Sequence, residues 1–389
     1  FGSSHFGARV WLSWTRRGRS QCPGASPLIA PIPGRATDMW ARRTVPVVPE
    51  PSALPPLDER EGETQRPSDA AESAERIRAE PFYAEYYGHK IEDLRSLHAL
   101  LRGQGCQDFV WLAGDSSLDN KNWLAQRDVL DNAVPALNGY ESALSPPQML
   151  PDVSYWVNHS LDAARKDGAP LVCAINAAKE ESTLGERVGA GGRLNAHDEF
   201  LRDHISDRDV LIVDVGGNDI ALKPTFWTGL NIAALLYLSC TPLIKYCSFA
   251  LAPCPGFYFG FPFGLGYFVN MFRHKTKEYI EKLIEKRNPR KVIVCMLYYL
   301  DEMPGLGWCD DVLQMLGYNK NPAKLQAVIR RVFELGTSRI QLQGTEVVPF
   351  PLFVPLDGKT SADYVERVEP SAQGGRKMAE ALLPAILEP

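Results

Sequence analysis

Hydrophobic and polar positions along this chain follow two periods from about Pro81 onward. Ile91, Leu94, Leu97 and Leu101 recur at helical spacing, which predicts an amphipathic helix over Glu92 to Leu101. Directly after it comes an unbroken apolar run, Phe109-Val110-Trp111-Leu112-Ala113, short enough for a strand buried on both faces. The rhythm then repeats. A helix over 152–166 and an Asp-Gly turn at 167–168 lead to the run Leu171–Ile175, a helix over 195–206 to Val210–Val215, a helix over 267–287 to Lys291–Leu297, and a helix over 322–336 to 345–353. A last helix, 371–387, closes the pattern. Apolar runs alternating with helices predict an α/β fold, a three-layer αβα sandwich around a five-stranded parallel sheet. Right-handed crossovers then favour the strand order 2-1-3-4-5, with functional residues in loops at the carboxyl ends of the strands.

Two stretches break the rhythm. Residues 1–46 carry seven arginines, no lysine and one acid, a composition read either as an organellar targeting segment or as sequence ahead of a true initiator at Met39. From Val45 to about Glu80 proline and charge dominate, so 1–80 is expected to be a disordered or targeting segment ahead of a domain spanning 81–389. The second break, 224–272 after the third strand, contains one charge, Lys245, among phenylalanine, tyrosine, leucine, glycine and proline. Its longest apolar stretch, Gly229 to Ile244, is 16 residues and contains Pro242, short of the roughly 20 needed to span a bilayer. It is expected to form an apolar lid or a membrane-contacting insertion; an inserted helical hairpin that enlarges the core and a transmembrane hairpin are the alternatives.

Composition narrows the partners. A net charge of −5 with acids and bases interspersed gives no basic stripe for phosphates, so nucleic acid is not an expected partner. The eight cysteines form no Cys-x-x-Cys pair and are expected to be buried free thiols. Compartment and oligomeric state are not readable.

Two polar loops carry the candidate chemistry: Gly114-Asp115-Ser116-Ser117 after the first strand and Gly216-Gly217-Asn218-Asp219 after the third. Ester cleavage by serine requires an activated hydroxyl, donors aimed at the developing oxyanion and a general base. Ser116 offers a hydroxyl and its own N–H, and Asn218 a neutral amide donor. In this order the residues resemble the SGNH, or GDSL, hydrolase superfamily. Gly114-Asp115-Ser116 is similar to its first block, which bears the nucleophile, and Asn176-Ala177-Ala178 with Ser182-Thr183 to its second. Gly217-Asn218-Asp219 is similar to its third, and Glu366-Arg367-Val368-Glu369-Pro370-Ser371 with Gly374-Gly375 has the frame of its fifth. The resemblance covers about 105 to 387. It implies a flavodoxin-like sheet order and a serine-centred pocket for a small acyl-ester or lipid-like ligand, with Asp115 and Gly217 beside it and neither metal nor cofactor.

The chain departs from the family at the base. The family's fifth block reads Asp-x-x-His-Pro; here Glu366 and Glu369 occupy the aspartate and histidine positions, and no histidine follows His274. The second-block glycine, whose N–H serves the oxyanion hole, aligns to Glu181, with Gly185 as the other candidate. A carboxylate near its ordinary pKa of about 4.3 is a poor base for a hydroxyl unless burial or a neighbouring acid raises it. Glu366 and Asp363 are the sequence neighbours that would do so, while His159, His197 and His204 are candidate bases from other segments. Three functions remain open: an esterase or acyl hydrolase with an altered base, a catalytically inactive pseudo-enzyme binding a lipid, membrane or protein partner, and a Mg²⁺-dependent phosphohydrolase using Asp115, Asp119, Asp219, Asp301 and Glu302. Glu369 within reach of Ser116 would favour the first; a blocked base position would favour the second.

Overall fold

The apolar runs pair as one parallel sheet in the computed structural model, which describes residues 76–389 apart from 126–127, 167, 255–256, 306 and 389. Its strands are β1 (Asp108–Gly114), β2 (Val172–Asn176), β3 (Val210–Asp214), β4 (Lys291–Met296) and β5 (Glu346–Pro351). They lie in the order β2-β1-β3-β4-β5, all parallel. Trp111 stands opposite Ile175 on one side and Leu211 on the other. The expected segment 1–80 lies outside the described residues as far as 75. Regular structure is present ahead of Pro81, where Ile77 and Arg78 pair with Leu144 and Ser145.

The larger helices are α1 (Ile91–Gly103), α2 (Val153–Ala164), α3 (Ala196–His204), α4 (Phe226–Tyr237), α5 (Thr241–Tyr246), α6 (Thr276–Leu283), α7 (Asp310–Met315), α8 (Pro322–Leu335) and α9 (Ala372–Leu387). Because strand side chains alternate between faces, Phe109, Trp111 and Ala113 of β1 enter one core with Leu97 of α1, Phe200 of α3, Ile280 of α6 and Val332 of α8. Val110 and Leu112 enter the opposite core with Val157 of α2 and Leu382 of α9. Each fully buried side chain of this size contributes about 1.5–3 kcal/mol, which is why both faces must be covered. Asp209 fixes the start of the sheet: its carboxylate accepts from the Phe109 N–H at 2.8 Å and the Trp111 indole at 2.9 Å.

Three local expectations need correction. The helix expected over 267–287 is broken into Leu265–Val269, a π-helical turn Asn270–Lys275, and α6. The insertion is not a helical hairpin: α4 and α5 are followed by an antiparallel β-hairpin, Phe249–Cys254 with Phe257–Phe261. Its run of aromatics pairs Phe249 with Phe261 and Leu251 with Phe259, so side chains the sequence presents as disorderly share one face. Of the cysteines, Cys106, Cys173, Cys295 and Cys309 are buried free thiols, but Cys240 and Cys247 are exposed.

Gly114 ends β1 where the sheet is most crowded. A Cβ there would lie 2.0 Å from the Asp214 carbonyl oxygen on β3, closer than any non-bonded approach allows. Gly114→Ala is therefore expected to cost about 3 kcal/mol or more, read as a lower urea midpoint. An unchanged midpoint would mean that β1 and β3 part freely at this end.

Candidate active site

Strand β1 delivers a tight turn, because Leu118 and Asp119 both return their N–H groups to the Asp115 carbonyl, at 3.1 and 3.0 Å. This holds Ser116 at the mouth of a cavity of about 120 Å³. The Ser116 hydroxyl donates to Glu369 Oε1 at 3.2 Å. Glu369 is 4% exposed and Ser116 6% exposed, so the pair sits away from bulk water.

Glu369 is held by bonds to the residues on either side of it. The Tyr298 hydroxyl donates to the Val368 carbonyl at 2.6 Å, and the Asn120 amide donates to the Pro370 carbonyl at 2.9 Å. Asn120 also accepts from the Val153 N–H at 3.0 Å, tying the Ser116 loop to α2 and to the segment that carries Glu369. Tyr298 and Asn120 carry no signal in the sequence, since both act on backbone carbonyls brought close only by the fold.

The electrostatics around the pair are unusual for carboxylates. Burial pushes Glu369 up to about 8, with Asp115 adding to the rise and the Ser116 hydroxyl opposing it. Glu180 rises to about 10 through burial first and then the charge of Glu369. Asp115 rises to about 6 through burial, against the Ser117 N–H and Arg187, and Asp214 beneath it is raised well above the ordinary range by burial and Asp115. Beside burial, Asp115 and Asp119 raise Glu369, and Glu369 in turn raises Glu180; these are other partners than the sequence neighbours Glu366 and Asp363.

The residues named from sequence divide accordingly. Asp115, Ser116, Gly217, Asn218 and Glu369 all line the cavity. Asn218 donates one amide N–H to the Ser182 carbonyl at 3.1 Å, which orients the side chain and leaves its second N–H for a ligand. Glu366 is turned away: it and Arg367 have φ of 53° and 72°, and the Glu366 carboxylate accepts from the Trp308 N–H at 3.2 Å. Asp363 is likewise engaged elsewhere, by Lys377 at 2.6 Å. The Glu181 carboxylate accepts from the Tyr86 hydroxyl at 3.3 Å and the Gly185 N–H donates to Asp219 at 2.8 Å; neither residue is among those that line the cavity.

Among the described residues no histidine lines the cavity. His197 bonds the His89 carbonyl, His204 bonds the Phe200 carbonyl, and His159 packs against Trp156. The carboxylates proposed for Mg²⁺ are dispersed in the same way. Asp119 pairs with buried Lys121, Asp219 accepts from Leu184 and Gly185, Asp301 from Met303 and Ser361, and Glu302 from Gln326. No group of three or more histidine, cysteine or acidic side chains is arranged for a metal among the described residues.

The rest of the cavity is apolar. Ile232 of α4, Phe268 just before the π-turn and Phe272 within it, Val312 of α7, and Val328 and Val332 of α8 form its wall, and no lysine or arginine lines it among the described residues. The arrangement suits a hydroxyl nucleophile, a desolvated carboxylate base, a neutral amide donor and an apolar chain on the ligand.

No protein-family profile matches the chain. No curated protein sequence matches it either. Solved structures do resemble it. The acetylxylan esterase Axe2 from Geobacillus stearothermophilus is 13% identical over 73% of this chain and 96% of its own, with a TM-score of 0.36. An inhibitor-bound aryl esterase from M. smegmatis is 14% identical over 72% of this chain and 100% of its own, at 0.35. A phospholipase A1 from Streptomyces albidoflavus is 10% identical over 72% and 99%, at 0.32. Similarity of this degree says nothing about the ligand of this chain, whose chemistry rests on the residues around Ser116.

Proposed function

We propose that this protein is a serine ester hydrolase of SGNH type in which Glu369 stands where the family has histidine. The observation that carries the proposal is the 3.2 Å hydrogen bond from Ser116 to a buried carboxylate raised to about 8. A base of that strength is far better matched to a serine hydroxyl at neutral pH than an ordinary carboxylate. Ser116 Oγ attacks the ester carbonyl carbon while its proton passes to Glu369. The tetrahedral oxyanion is held by the free Asn218 N–H and the Ser116 N–H. Collapse breaks the ester C–O bond, and the alkoxide leaves with the proton from Glu369. Water then attacks the acyl-serine, gives its proton to Glu369, and the carboxylic acid departs as Ser116 recovers its hydrogen.

The apolar wall supports an acyl-ester or lipid-like substrate, with segment 224–272 closing over the cavity and meeting the lipid phase from which such an ester comes. A fluorophosphonate is expected to label Ser116, with labelling rising toward alkaline pH. No labelling of folded protein at any pH from about 6 to 10, the span over which Glu369 ionises, would leave a binding protein instead. Asn218→Ala is expected to lower kcat by about 10²–10³ with little change in KM, measured on a soluble short-chain ester. Equal kcat in the variant would remove Asn218 from the oxyanion site.

A further inference from the structure

Helix α4 is apolar on every side: its inward face carries Leu235 and Leu236, with Ile232 reaching the cavity, while Phe226, Trp227, Leu230 and Tyr237 are 50–66% exposed on the other. A helix hydrophobic all round belongs in a core or against lipid, and here one face has no protein over it among the described residues. The exposure continues along the insertion. Leu238 is 75% and Tyr246 81% exposed, and the hairpin adds Leu251 at 58% and Phe263 at 63% just beyond its end. Contact between Gly264 and the Asn231 backbone joins the hairpin end to α4, so these belong to one surface.

We infer that this face is an interfacial docking surface for an anionic lipid bilayer. Three observations select that occupant. Tryptophan, tyrosine and phenylalanine with leucine are the side chains that settle at the headgroup and acyl boundary. Residues 224–272 contain no acid, and Lys245, their one charge, is exposed beside Tyr246, which favours phosphatidylglycerol-like over zwitterionic headgroups. The 12 residues of α4 extend only about 18 Å, and no described helix is long and apolar enough to cross a membrane, so the segment lies on the surface. The surface deepens the hydrolase reading, on which this point rests, in one respect: α4 has one face toward the bilayer and places Ile232 in the wall of the cavity that Ser116 also lines.

The test uses the full chain and its Ser116→Ala form, sedimented with vesicles of phosphatidylcholine with and without phosphatidylglycerol. Binding to both, tighter with phosphatidylglycerol, is expected for each protein. The triple variant Trp227→Gln, Leu230→Gln, Leu238→Gln should lose at least about tenfold in vesicle partition, since each substitution withdraws a large apolar side chain from the acyl boundary. Its thermal melt should match the parent's, and Trp227→Gln alone should give a smaller loss in the same direction. Failure of the parent to sediment with either vesicle overturns the proposal, as does sedimentation of the folded triple variant at the parent's level. So does a parent dimer, indifferent to vesicles, that the triple variant dissolves, because a second copy would then cover the face. Vesicle binding by a protein whose serine cannot be labelled keeps the surface and removes the hydrolase; labelling without sedimentation does the reverse.

Discussion

Glu369→Gln is expected to lower kcat/KM for a soluble ester by about 10³-fold, within the range general-base catalysis supplies, while the protein stays folded. Glutamine preserves the shape and can still meet Ser116, but it cannot take the proton. The pH profile gives the sharper test. Catalysis needs the ionised form, and burial raises the Glu369 carboxyl to about 8. Activity should therefore climb with pH, about tenfold per unit below that value, and level off above it; at pH 7 about one molecule in ten holds an ionised base. Glu369→His should restore a base whose ordinary pKa is about 6.5, with burial lowering the imidazole and the neighbouring Asp115 opposing that. Its limb should then move acid, toward that value. A limb that stays in place in the histidine variant would assign the titration to another group.

Arg187→Met is expected to destabilise the protein by about 3–5 kcal/mol, the usual consequence of leaving a buried charge alone. That is a large share of the 5–15 kcal/mol typical of whole domains. Arg187 is 1% exposed; its Nε donates to Asp198 at 2.9 Å and its Nη2 to the Gly114 carbonyl at 3.0 Å. Tyr279 lies with its ring 5.1 Å from the guanidinium and donates its hydroxyl to the same Asp198 at 2.6 Å. Removing the cation leaves a fully buried aspartate without its counter-charge, while the Gly114 carbonyl keeps the Lys179 N–H and the Ser182 hydroxyl. Urea unfolding measures the loss, and adding Asp198→Asn should recover part of it, because asparagine removes the unpaired charge and still offers Tyr279 an acceptor. A single variant as stable as the parent would mean that water reaches Asp198.

Periodicity alone made the sheet readable. Val210–Val215 and Lys291–Leu297 are apolar as two covered faces demand, apart from buried Asp214 and Lys291 at their ends, and crossover handedness then limits the order. The fold and the turn that carries Ser116 were therefore legible before any side chain was placed. The surroundings of Glu369, the base we propose, were half legible. Its position followed from the frame around Pro370, but the acids that raise it did not, because Asp115 and Asp119 reach Glu369 through folding and not through sequence proximity. Glu366 misled for a local reason: left-handed backbone at Glu366 and Arg367 turns its side chain toward Trp308 before the chain reaches Glu369. Arg187 gave no signal, since an arginine on a four-residue helix looks solvated until its partners are known. The hairpin was unreadable because a run of aromatics, glycines and prolines has no period of either kind.

The bond between Ser116 and Glu369 joins residues 253 positions apart. On a ribosome adding roughly 5–20 residues per second, the base follows its nucleophile by about 13–50 s. Through that interval the nascent chain carries the serine turn and an uncovered apolar insertion, yet has nothing to withdraw the hydroxyl proton. Tyr298 is made in time to wait for the Val368 carbonyl, and Asn120 for that of Pro370. On the proposed mechanism, Ser116 therefore gains its base only once the Glu369 segment has been made and has docked, so the growing polypeptide holds the hydroxyl without the carboxylate that would activate it.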